Sequence, residues 1–117
     1  MITGLSSAVS SLQAHDRKQA VNANNIANVN TNGYKRTQAV LEEGGAGEVR
    51  VNLRKDLSPA PMDPLAPDAP GVEKELSNVD LVDEMTGMIS TEIGYKANLK
   101  TIQARDELMG TLLDTMA

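Results

Sequence analysis

The 117 residues make at most one small domain: 40% are hydrophobic, but Phe and Trp are missing and Tyr34 and Tyr95 are the only aromatics, so no deep aromatic core is expected. The chain has no cysteine, which excludes disulfides and thiolate chemistry. The net charge of -5 argues against a nucleic-acid partner and divides unevenly. Residues 1–36 carry Arg17, Lys18, Lys35 and Arg36 against Asp16, residues 37–71 are net acidic, and residues 72–117 more so, which favours pairing of the two ends.

Taken in chain order, the first element is a helix from about Gly4 to Ala27, with Thr3 placed to cap it. Its seam runs Ile2, Leu5, Val9, Leu12, Asp16, Gln19, Ala23 and Ile26, apolar except in the middle. The start MITGLSSAVSSLQAHDRK lacks a basic segment followed by a continuous apolar run, so no cleaved secretory signal is expected. His15, the only histidine, reads as an exposed helix residue.

The stretch Asn22-Ala23-Asn24-Asn25-Ile26-Ala27-Asn28-Val29-Asn30-Thr31-Asn32-Gly33-Tyr34 is the most informative local sequence. Short amides compete for backbone groups and stop helices, and Asn-Gly is a strong turn signal. The helix is therefore expected to end near Asn28 and the chain to reverse at Asn32-Gly33, in a turn that Tyr34 anchors against an apolar neighbour. Beyond it, Val49, Val51 and Leu53 alternate with polar residues in period 2, which predicts a short half-buried strand, paired with residues 36–42 as a hairpin.

All five prolines fall at Pro59, Pro61, Pro64, Pro67 and Pro70, which predicts an extended linker able to reach roughly 37 Å at about 3.1 Å per residue. The acids Asp80, Asp83 and Glu84 then open the last helix, where carboxylates favour the positive end, with Ser77 or Asn78 as the cap. This helix, from Asn78 to Ala117, organises the chain: its heptad seam passes through Leu81, Met85, Met88, Tyr95, Leu99, Ile102, Met109 and Leu113 and needs a partner. At about 57 Å it is too long for the rest of the chain to cover, so part of the seam is expected to meet other subunits. Gly87, Gly94 and Gly110 interrupt it, each read either as a point of close helix approach or as tolerated flexibility.

No phosphate-binding loop, CxxC pair or HExxH helix is present, and no run of 18 apolar residues suits a membrane. The residues point to no enzyme, no cofactor, no metal and no small-molecule substrate.

Two stretches carry a family resemblance. Val21 to Lys35 resembles the N-terminal signature of the bacterial flagellar axial proteins of the rod, hook and basal-body class. Ser77-Asn78-Val79-Asp80-Leu81-Val82-Asp83-Glu84-Met85, continuing through Ile93, Gly94, Tyr95, Ala97, Asn98 and Ile102 to Leu112, is similar to their C-terminal domain. The short middle is similar to that of the short proximal rod protein.

The resemblance implies a mainly α fold: long N- and C-terminal helices forming an antiparallel coiled-coil-like pair, with a short β-hairpin or strand and the proline-rich linker between them. It divides the chain into an N-terminal rod helix and Asn-rich turn (residues 1–36), a central β and linker segment (37–76) and a C-terminal rod helix (77–117). Leu5, Val9, Leu12 and Ile26 would pack against Leu99, Ile102, Met109 and Leu113, and Asn25, Asn28, Asn32 and Gly33 would shape the turn. The function implied is that of a structural subunit of the flagellar basal-body rod in the periplasm, exported by the flagellar apparatus and partnered by copies of itself and other rod proteins. The alternative is a soluble helical adaptor of flagellar assembly that keeps the signature.

Overall fold

The computed structural model describes residues 2–116, with the side chains of Ile2 and Thr3, and so the expected Thr3 cap, outside what is described. Helix α1 spans Ile2–Ala27, strands β1 (Thr37–Glu43) and β2 (Val49–Lys55) form an antiparallel hairpin, and helix α2 spans Leu81–Met116. The molecule is a rod of 78 × 25 × 16 Å. Its length is set by α2, whose 36 residues alone extend about 54 Å at 1.5 Å each.

Helix α1 ends where the asparagines begin to bond to the backbone. Asn28 Nδ2 donates to the carbonyl of Asn24 at 2.8 Å, sharing that acceptor with the Asn28 amide (3.2 Å) in the last turn of the helix. At the other end of the chain, Asp80 caps α2, its Oδ1 accepting from the amides of Val82 (2.9 Å) and Asp83 (3.2 Å). The expected caps do other work. Ser77 Oγ accepts from the Val79 amide, and Asn78 is drawn into the loop clamp described below. A capping oxygen must reach the second and third helical amides, and here only Asp80 stands at that distance.

The hairpin pairs Thr37 with Lys55 through Glu43 with Val49. It lies within a residue of where the alternating pattern put it, and β1 and β2 rest against α1, where the amide of Val49 donates to Ser10 Oγ at 3.1 Å. A two-stranded ribbon is marginal on its own and needs such support.

The proline segment does not stretch into an extended connection. Met62 bridges Glu75 in antiparallel fashion, the Asp63 amide donates to the Lys74 carbonyl (2.7 Å), and the Leu76 amide donates to the Pro61 carbonyl (2.9 Å). Residues 64–72 therefore form a closed excursion that returns the chain beside its point of departure. Proline removes its own amide but leaves the carbonyl free to accept, which is how Pro61 takes part.

The two helices run antiparallel. Gly4 faces Arg105, Ser11 faces Asn98, His15 faces Gly94 and Asn22 faces Gly87, so that steps of seven, four and seven residues along α1 are matched by equal steps back along α2. This alternation keeps one stripe of each helix in register with the other. The stripe is built of small and polar side chains. Ala8 and Ala14 are the buried hydrophobic residues among those described, joined by Asn22, Asn25, Glu84 and Thr91.

On α2 the inner stripe passes through Glu84, Gly87, Thr91, Gly94 and Asn98, one residue out of step with the apolar seam expected to face α1. One residue turns a helix by about 100°. The packing of Leu5, Val9, Leu12 and Ile26 against Leu99, Ile102, Met109 and Leu113 is therefore not what joins the helices within one chain: Leu5, Val9, Leu99, Met109 and Leu113 are exposed, while Leu12, Ile26 and Ile102 are half-buried. The glycines win the interface because they leave room for side chains of α1, His15 over Gly94 and Asn22 over Gly87, and beside them Ser11 and Asn98 bond directly at 2.8 Å. His15 also departs from the sequence expectation of an exposed residue, since its ring rests over Gly94.

Candidate assembly surface and the clamp behind it

Asn25 is the hub of the junction where the helices, the turn and the hairpin meet. It is 1% exposed, the largest fully buried side chain described. Its Oδ1 accepts from the Thr37 amide (3.0 Å) and the Tyr34 hydroxyl (3.1 Å), and its Nδ2 donates to the Thr37 carbonyl (2.8 Å). The amide thus imitates a neighbouring strand at the first residue of β1. Burying it is tolerable because it is bonded on both faces. Tyr34 is fixed by this polar bond to its hydroxyl, where the sequence suggested an apolar neighbour.

The turn leading into this hub is locked to the residues before α2. Gly33 adopts φ +69, a left-handed conformation that disfavours side chains, and its amide donates to the Glu75 carbonyl at 2.6 Å. A Cβ there would meet Glu73 at 2.9 Å. Asn28 closes the helix, with its Oδ1 accepting from Thr31 Oγ1, and Asn32 Nδ2 reaches the Glu73 carbonyl.

Asn78 repeats the device of Asn25 on the far side. Its Oδ1 accepts from the Arg36 amide (2.7 Å), and its Nδ2 donates to the carbonyls of Asp56 (2.9 Å) and Ser58 (3.1 Å). Nothing in the sequence beyond residue type separated Asn78 from an ordinary helix cap, so this role was missed. Asn98, half-buried between the helices and bonded to Ser11 and the Gly94 carbonyl, was missed for the same reason.

Charge completes the clamp. Lys35 Nζ lies 2.6 Å from Glu75 Oε1, and that hydrogen bond, helped by the Ala60 amide, lowers the Glu75 pKa from its usual value. Arg36 sits between Asp83 (3.6 Å) and the buried Glu84 (3.4 Å), tying the start of β1 to the first turn of α2. Removing either partner of a buried ion pair strands the other, so Arg36 and Glu84 act as a unit.

This clamp leaves the larger apolar side chains outside. Along α2, Leu81, Met85, Tyr95, Leu99, Met109 and Leu113 lie on the surface beside the inner stripe, with Met88 and Ile102 half-buried, and Val82, Ile89 and Ile93 stand exposed farther round. Because Arg105 already lies against Gly4, the last three turns of α2 project past the paired region with Leu108, Leu112 and Met116 bare. Contiguous exposure of this kind marks an interaction surface. No helix among the described residues is long and apolar enough to cross a membrane, and no group of His, Asp or Glu among them is arranged to hold a metal ion.

Comparison with known proteins agrees with this anatomy. Residues 5–35 match the family described as flagella basal body rod protein, and residues 74–115 match the flagellar basal body rod FlgEFG protein C-terminal family. These two segments contain the Asn-rich turn, the residues before α2 that hold it and all but the ends of the two helices. The chain is 30% identical, over 97% of its length and 95% of the other, to the flagellar basal-body rod protein FlgC of Borreliella burgdorferi. Over a 39-residue stretch it is 51% identical to the flagellar hook protein FlgE of Treponema pallidum and 46% to that of Borreliella burgdorferi. The chain spans only 8% and 9% of the length of those two hook proteins.

Proposed function

Because the chain belongs to the family of flagellar basal-body rod and hook proteins, a structural and non-catalytic class, we propose that it is a subunit of the flagellar rod that polymerises through its terminal helices. In this reading residues 1–36 and 77–117 are the assembly segments and residues 37–76 a short insert between them. The partners are copies of the same chain and other rod proteins, the place is the periplasmic part of the basal body, and delivery is by the flagellar export apparatus.

The observation that carries the proposal is the placement of the apolar side chains. A helix that meant only to close on α1 would turn Leu99, Met109 and Leu113 inward. Here the pair closes on Gly, Ala, Ser, Asn and Thr, and the large side chains are left for surfaces outside the chain. Each Leu taken out of water on assembly contributes about 2 kcal/mol before the costs of association, and a repeat of identical contacts around an axis multiplies that term. Torque would pass through such contacts because packed helices resist sliding and bending along their length.

The test is a pair of charges on this face. The double variant Leu99→Glu, Leu113→Glu is expected to keep the helix content of the wild-type monomer, since the two side chains are 44% and 65% exposed, and to lose sedimentable polymer at concentrations where the wild type forms it. Polymer of normal yield from the double variant would remove these positions from the assembly surface.

A further inference from the structure

His15 occupies a position that neither the rod reading nor the clamp explains. Its ring lies across the helix pair so close to Gly94 that a Cβ at that residue would stand 2.7 Å from Cε1 and 3.0 Å from Nε2. Its Nδ1 is buried without a hydrogen-bond partner. Beside it opens a cavity of about 180 Å³ lined by His15, Asp16, Gln19, Thr91, Glu92 and Tyr95, and Gln19 Oε1 is also buried and unpartnered.

The two protonation states of the ring fare differently in this setting. A neutral imidazole keeps a bare lone pair on one nitrogen, so an unpartnered Nδ1 costs only the lost hydration of an acceptor. An imidazolium carries a hydrogen on both nitrogens, and Nδ1 would become a buried cationic donor at a place where it makes no hydrogen bond in this structure, Gln19 Oε1 in the same cavity being a neutral acceptor and no counter-charge.

The neighbouring charges do not repair this. On α1, Lys18 repels a proton on the ring, and Asp16 is exposed to solvent. On α2, Glu92 is already held by Lys96 at 2.6 Å, and Tyr95 presents a phenol, not a carboxylate.

We propose that His15 is a proton-sensitive latch on the helix pair: the neutral ring fills the space over Gly94 and lets α1 and α2 close, and a proton on the ring forces them apart at that point. The direction in pH follows from the histidine's pKa, which burial first and Lys18 second hold below the ordinary 6.5. A group with a lowered folded-state pKa of this kind supports the fold above 6.5 and withdraws that support as pH falls below it. The carboxylates with lowered values, Asp56, Glu75 and Glu92, start from 3.8, 4.5 and 4.5 and move away from the interval between pH 7.5 and 5 in which the His15 effect is read.

The single histidine makes the test direct. In the full chain, its ring proton resonance is expected to titrate with a midpoint below 6.5, and the urea midpoint of the helix signal is expected to be lower at pH 5 than at pH 7.5. His15→Gln is expected to show the same urea midpoint at both pH values, and His15→Lys a low one at both. A ring midpoint at or above 6.5 overturns the latch, as does an undiminished drop between pH 7.5 and pH 5 in His15→Gln. Should His15→Gln fail to fold, the wild-type titration decides alone.

Discussion

Gly94→Leu is expected to separate the two helices. The new side chain would begin inside the space held by the His15 ring and would push α2 outward beyond the reach of the Ser11 to Asn98 hydrogen bond. Overpacking against the His15 ring, together with the loss of a half-buried polar bond, amounts to about 3 kcal/mol, a large share of what holds a small domain together. The control lies on the same helix. Gly110 has nothing within 4 Å of its absent Cβ, so Gly110→Leu should stabilise α2 by up to about 0.8 kcal/mol through helix propensity alone. Urea unfolding followed by circular dichroism separates the two effects by sign. Equal behaviour of the two variants would mean that the helices do not approach at Gly94.

Asn25→Ala is the second substitution with a large expected effect. It removes the partner of the Thr37 amide, the Thr37 carbonyl and the Tyr34 hydroxyl at once, in a place where little water reaches. With roughly 1 to 3 kcal/mol for each buried group left unsatisfied, the loss is about 3 kcal/mol even after the neighbourhood relaxes. Tyr34→Phe removes one of the three bonds and should cost about 1 kcal/mol. Asn25→Asp keeps two accepted bonds but sets a carboxylate against the Thr37 carbonyl, so it should resemble alanine more than wild type. Thermal melting of the three variants gives the order, and an Asn25→Ala protein as stable as Tyr34→Phe would deny Asn25 its place as the hub.

The Asn-rich turn was legible because residue type and dihedral demand coincide there: Asn-Gly at 32 and 33 announces a left-handed turn, and the structure has Gly33 at φ +69. The hairpin was legible from the alternation through Val49, Val51 and Leu53, and the heptad spacing of α2 gave its length. What periodicity does not give is which stripe faces inward. The larger side chains, Met85, Leu99 and Met109, draw the eye to one stripe, whereas the backbones close on the adjacent one, where Gly87 and Gly94 leave room. The three glycines of α2 looked alike in sequence, and only the distances divide them into two close approaches and one open site.

The roles of Asn78 and Asn98 depend on carbonyls and hydroxyls supplied by residues 20 to 87 positions away, and no local pattern encodes such partners. The proline segment misled for a related reason. Five prolines argue for extension, but the antiparallel bridge between Met62 and Glu75 is a pairing at a distance, and it folds the segment back on itself.

The central claim is that the large apolar side chains of this chain serve contacts between subunits of a rod. The measurement that meets it most directly is recovery of the chain in detergent-purified basal bodies, with a small epitope inserted near Ala66, in the closed excursion that leaves both helices untouched. The account predicts that the tagged chain stays with the rod after the membrane rings are stripped away. Its absence from the particles, with the tagged chain present in cells and motility intact, would contradict the rod assignment and leave the exposed face of α2 to a soluble partner.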